Sequence, residues 1–93
     1  MVDVYVNVYT QPGCMRCRTL MRALDRAEVA YHAIDVSQDT AAHDRLVAEK
    51  LIQLPVSEIV RVDADGDHKV VTTTTEFRPA AIIEQVKALQ IEA

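Results

Sequence analysis

Apolar and polar positions alternate strictly over Val2–Tyr9. Val2, Val4, Val6 and Val8 fall on one side of an extended chain, and Asp3, Tyr5, Asn7 and Tyr9 on the other. The segment therefore reads as a strand. Thr10-Gln11-Pro12-Gly13 interrupts it with turn-forming residues. The period then changes: Cys17, Leu20, Met21 and Leu24 recur at i, i+3, i+4 and i+7, opposite a solvated stripe of Arg18, Arg22 and Arg26. This predicts a helix that begins at or just before Cys14. Tyr31–Val36 reads as a second strand, joined to the first through that helix, so the two pair in parallel. Ser37 or Asp39 is placed to cap a second helix running to about Lys50, with a weaker apolar stripe of Ala42, Leu46, Val47 and Leu51.

Pro55 opens a third strand to about Val62, Ala64-Asp65-Gly66-Asp67 is a hairpin turn, and Val70–Thr75 is the returning strand. Pro79 suits the first turn of a last helix with Ile82, Ile83, Val86 and Leu89 on its buried side. The order β-α-β-α-β-β-α predicts an α/β domain over residues 1–93, a four-stranded mixed sheet with helices on both faces. Glu58 is the discordant residue. It falls inside a strand that should be covered on both sides, so it needs either a solvent-facing edge or a buried partner.

Length and composition narrow the function. Ninety-three residues suffice for one modest core. The net charge of −4 does not suit a nucleic-acid binder. No stretch approaches the ~20 apolar residues of a membrane helix. Met1-Val2-Asp3 lacks the basic start of a secretory signal, so a cytoplasmic, reducing location and a monomer are expected.

Against that background the two cysteines matter. They form Cys14-Met15-Arg16-Cys17, and a disulfide so short constrains the unfolded chain very little. In a reducing compartment such a pair points to redox chemistry or metal binding. A free thiol titrates at about 8.5. A cysteine at a helix N-terminus faces free N–H groups and the positive end of the helix dipole, and Arg16 and Arg18 add charge nearby. Cys14 is thus expected to be the nucleophile with a lowered pKa. Cys17, on the apolar face one turn later, is expected to be the resolving thiol, because desolvation disfavours its thiolate. Small Gly13 leaves room for a partner's backbone. Exchange through a mixed disulfide needs no metal and no other cofactor. Two other readings stay open: a zinc site in which two of His32, His43 and His68 complete the ligand set, and an inert CxxC in a non-catalytic binding domain.

Tyr9-Thr10-Gln11-Pro12-Gly13-Cys14-Met15-Arg16-Cys17 resembles the active-site segment of glutaredoxins and, more closely, of NrdH-type redoxins. Leu54-Pro55-Val56 is similar to the cis-proline step that faces the dithiol in this superfamily. Phe77-Arg78-Pro79 resembles the element that opens the last helix of NrdH-type redoxins. The resemblance implies a thioredoxin-like fold and a redox-active Cys14–Cys17 disulfide. It further implies partner-binding residues at Pro12, Gly13, Met15, Arg16, Leu54, Pro55, Phe77 and Arg78. It implies reduction by thioredoxin reductase and electron delivery to ribonucleotide reductase. Glutathione is the alternative reductant, but Gln11 stands where glutaredoxins typically carry Lys. Thr75-Glu76-Phe77-Arg78 also replaces their Gly-Gly and acidic residues. The NrdH pattern has Trp-Ser-Gly where this chain has Thr74-Thr75-Glu76, and Glu tolerates a positive φ poorly.

Overall fold

The computed structural model describes residues 3–91. Its elements are β1 (Asp3–Thr10), α1 (Met15–Arg26), β2 (Tyr31–Asp35), α2 (Thr40–Ala48), β3 (Val56–Val62), β4 (His68–Thr74) and α3 (Pro79–Ile91). They form one mixed sheet in the order β2-β1-β3-β4. β1 pairs parallel with β2 and antiparallel with β3, and β4 closes an antiparallel hairpin on β3.

The alternation in β1 assigns the two faces of the sheet. Val4, Val6 and Val8 pack with Leu20 and Leu24 of α1, Ile59 of β3, and Ile82 and Val86 of α3. Tyr9 and Val56 turn the other way and pack with Val36 and with Leu46 of α2. Two helices thus cover one face and one covers the other.

Several boundaries differ from the sequence reading for identifiable reasons. The strand start placed at Val2 lies outside the described residues. Asp39, not Ser37, caps α2: its carboxylate accepts from the Ala42 N–H at 2.9 Å. Ser37 is engaged elsewhere, donating through its N–H and hydroxyl to Asp35 at 2.9 and 2.6 Å. β4 begins at His68, two residues before the expected Val70. The turn is closed by Asp63 N–H to Asp67 O at 2.8 Å, which lets pairing resume at once as Val62↔His68. Gly66 supplies the positive φ (+85°) that this turn requires. Val47, expected on the buried stripe of α2, is 52% exposed. The helix touches the sheet along a narrow line, with Leu46 its buried residue.

Both α1 and α2 end in the same way. Val29 N–H bonds Leu24 O and Glu28 N–H bonds Asp25 O; Leu51 N–H bonds Leu46 O and Lys50 N–H bonds Val47 O. These paired 6→1 and 5→2 bonds are Schellman caps, which place Glu28 and Lys50 at φ +58° and +59°. Glu76, by contrast, is not among the positive-φ residues, so the loss of Gly there carries no backbone penalty.

Glu58 is buried and has partners. It faces the α2 side of the sheet beside Asn7 and accepts from Arg45 Nη2 at 2.8 Å. Tyr9 Oη and Asn7 Nδ2 both donate to its other oxygen at 3.1 Å. The Arg45 guanidinium also lies 5.0 Å above the Tyr9 ring.

Candidate active site

The site is assembled where β1 runs out into α1. After Thr10 the chain turns through Gln11, Pro12 and Gly13, and the Cys14 N–H closes the turn on Gln11 O at 3.3 Å. Gly13 adopts φ +81°, and among the described residues no atom beyond its chain neighbours lies within 4 Å of where a β-carbon would sit. Glycine is therefore required by backbone conformation, with open space around it as an additional property.

Cys14 is the N-cap of α1, in an extended conformation (φ −82°, ψ 102°). Its sulfur accepts from the Cys17 N–H at 3.2 Å, while its carbonyl takes the first helical bond from Arg18 N–H. A sulfur in this position meets the unpaired N–H groups of the first helical turn. That turn has no acidic residue to offset the helix dipole, and Arg16 and Arg18 project into solvent. Cys17, one turn along, is fully buried, whereas Cys14 is half-buried. The two are joined as a disulfide, with Cα atoms 5.3 Å apart.

Cys14 forms one wall of a groove of about 250 Å³. Gln11, His43 and Val47 line it together with Leu51, Ile52 and Leu54. Val47 and Ile52 are strongly exposed for apolar residues. Among the described residues, no Lys or Arg lines the groove. Of the residues expected at a partner surface, Pro12, Gly13, Met15 and Arg16 lie exposed around Cys14. Leu54 lines the groove, and Pro55 is buried behind it after a cis peptide bond.

The groove does not include Phe77 or Arg78. Phe77 is part-exposed at 38%, and Arg78 pairs with Glu76 at 3.3 Å beside a separate hollow lined by Thr72, Thr73 and Thr74. The sequence pattern does not single out Val47, Leu51 and Ile52 as site residues, and it offers His43 only as a candidate zinc ligand. Val47 and Leu51 read there as part of the apolar stripe of α2, and Ile52 alone falls outside that stripe.

The histidines do not converge on the dithiol. His32 and His68 flank Tyr5, with ring centroids 5.1 and 5.7 Å from it, and only His43 shares the groove with Cys14. Among the described residues, no group of three or more His, Cys, Asp or Glu is arranged to hold a metal ion. No helix among them is long and apolar enough to cross a membrane.

Known proteins share this arrangement. The structure is similar to that of the glutaredoxin-like protein NrdH-redoxin from Escherichia coli, with a TM-score of 0.65, 24% identity, and coverage of 88% of this chain and 93% of that one. It is similar to the thioredoxin-like protein BC3987 at 30% identity, with a TM-score of 0.57 and coverage of 90% and 97%. Trichomonas vaginalis thioredoxin superposes with a TM-score of 0.69 at 14% identity, covering 92% of this chain and 78% of that one. The fold is therefore thioredoxin-like. A stretch of 37 residues, 40% of this chain, is 38% identical to the Gene 56 protein of Mycobacterium phage D29 and spans 41% of that protein's length. The glutaredoxin family model matches residues 6–68, from the middle of β1 through the dithiol to the start of β4. A strand leading into a CxxC-capped helix, carried on this sheet and matched over most of its length, places the chain in the glutaredoxin family.

Proposed function

We propose that the protein is a cytoplasmic, single-domain dithiol electron carrier in which Cys14 is the nucleophile and Cys17 the resolving thiol. In the reduced state the Cys14 thiolate attacks a partner's disulfide, forming a mixed disulfide and releasing one partner thiolate. Cys17, losing its proton, then attacks the Cys14 sulfur and forms the Cys14–Cys17 bond. The second partner sulfur leaves as a thiolate that takes up a proton. The observation that carries this reading is the inequality of the two sulfurs. One caps a helix at the edge of a groove, and the other is fully buried one turn below. Reduced Cys14 is accordingly expected to titrate below a free thiol.

The proposed reductant is thioredoxin reductase and the proposed acceptor ribonucleotide reductase. Support comes from the Phe77-Arg78-Pro79 element and from the similarity to a redoxin described as having a thioredoxin-like activity profile. The groove argues in the same direction. Glutathione carries two carboxylates, and neither would find a Lys or Arg among the groove's lining residues.

The test follows NADPH consumption by the oxidised protein and a small disulfide acceptor. One arm contains thioredoxin reductase, and the other contains glutathione with glutathione reductase. Turnover in the first arm alone is expected; turnover in the second alone would overturn the assignment of the reductant. Cys14→Ser should abolish turnover. Cys17→Ser should accumulate the mixed disulfide, detectable by mass. Unreactive thiols in the wild type would instead support a non-catalytic binding domain.

A further inference from the structure

The Arg45–Glu58 pair lies outside the groove, and the exchange chemistry does not use it. We infer that it is a positioning device. By holding α2 against the sheet it sets one wall of the groove beside Cys14, and so favours partner disulfides flanked by an apolar side chain. This inference deepens the dithiol reading and rests on it.

Apart from this pair, α2 is held to the sheet by buried Leu46 and part-buried Ala42. Its last turn presents Val47 to the groove. Arg45 is the residue next to Leu46. It reaches across the interface to a carboxylate that is only 5% exposed. The same carboxylate is bound by Tyr9, and Arg45 lies over the Tyr9 ring. Tyr9 leads through Thr10 into the turn that carries Cys14. The ion pair thus ties the α2 wall to β3, and Tyr9, bonded to the same carboxylate and lying under the Arg45 guanidinium, extends the tie to β1, the strand that delivers the nucleophile.

Only one side of the pair is buried: the Glu58 side chain is 7% exposed, whereas Arg45 is 42% exposed and also meets Glu49 at 3.1 Å. The buried carboxylate is the demanding member, because its charge is costly unless its partners meet it in one arrangement. The occupant follows from continuity with the reactive sulfur. Whatever forms a mixed disulfide with Cys14 brings its neighbouring side chain to a surface made by Val47, Leu51, Ile52 and Leu54. An apolar side chain loses water there, whereas a polar one is left without partners apart from His43 and Gln11.

The experiment measures second-order rate constants for pre-reduced protein with two short peptide disulfides. The peptides differ only in carrying Leu or Ser beside the cysteine, and hydroxyethyl disulfide reports the dithiol alone. The wild type should reduce the Leu peptide about tenfold faster, the gain from partly burying one leucine side chain. In Arg45→Met the ratio should fall toward unity, and Arg45→Lys should recover part of it. Glu58→Gln keeps the side-chain volume. It should act in the same direction and serves where Arg45→Met fails to fold, as judged by thermal melts taken first. A wild-type ratio near one would overturn the inference. So would a tenfold ratio that survives in folded variants whose only change is a lower melting temperature. Both outcomes leave the dithiol reading intact; that reading fails only if the wild type reduces none of the three disulfides.

Discussion

At the scale of single residues, the Cys14–Cys17 pair was legible in the chain and its surroundings were not. Cys14 and Cys17 stand out because a strand, a turn and a helical period meet at them. Glu58 stood out too, as a charge inside a covered strand, but its partners sit on β1 and α2 and become neighbours only through the fold. Burial and the adjacent Glu58 carboxylate hold the Tyr9 phenol above its ordinary value, with Arg45 opposing them. A raised folded-state value contributes stability that is complete below about pH 10 and is lost as pH rises through the folded value. Denaturant melts from pH 9 upward should show this alkaline loss in the wild type and a smaller one in Tyr9→Phe. Ser57 presents the opposite case. It is 1% exposed, shares the sheet face of Val8, and its hydroxyl has no hydrogen-bond partner among the described residues. Removing an unsatisfied buried hydroxyl should stabilise the fold, so Ser57→Ala is expected to gain about 1 kcal/mol in urea unfolding.

At the scale of elements, periodicity located all seven, because each strand and helix has a face committed to one of the two packed layers. What it could not give was the manner in which α1 and α2 end. A left-handed residue is expected to be glycine, and here Glu28 and Lys50 occupy those positions, leaving no composition signal. Both pay for the conformation. Replacing either with glycine should raise stability by about 1 kcal/mol, read as a shift in the denaturation midpoint at constant slope. Lys50→Gly is the more informative of the two, because Leu51 immediately after it lines the groove. The stripe of α2 misled for a related reason. A helix resting on the sheet through Leu46 leaves Val47 exposed to the groove, and an apolar residue reads the same in sequence whether it is core or contact surface.

At the scale of the whole molecule, charge is unevenly distributed. The chain carries a net −4, yet Arg16, Arg18, Arg22 and Arg26 are all exposed on α1. None of the four is in an ion pair among the described residues, whereas Arg45, Arg61, Lys69 and Arg78 are paired. A local positive field beside Cys14 accelerates encounter with an acidic partner segment and is screened by salt. Arg16→Glu should therefore slow reduction of an acidic peptide disulfide several-fold at low ionic strength, with the difference shrinking as salt is added. An unchanged rate at low salt would show that the arginines are no more than a solvated surface.

The order β2-β1-β3-β4 also determines how the molecule comes together in time. β1, α1 and β2 are consecutive and can dock locally, but the centre of the sheet is closed only when Val56 returns to pair with Tyr9. That long-range closure carries the larger loop entropy and is therefore expected in the rate-limiting step. Substitutions in the β1–β3 ladder should then slow folding, while those that loosen α2 should chiefly hasten unfolding. A variant with a weakened groove wall would still reach its native state at close to the normal rate, and its defect would lie in how long it stays there.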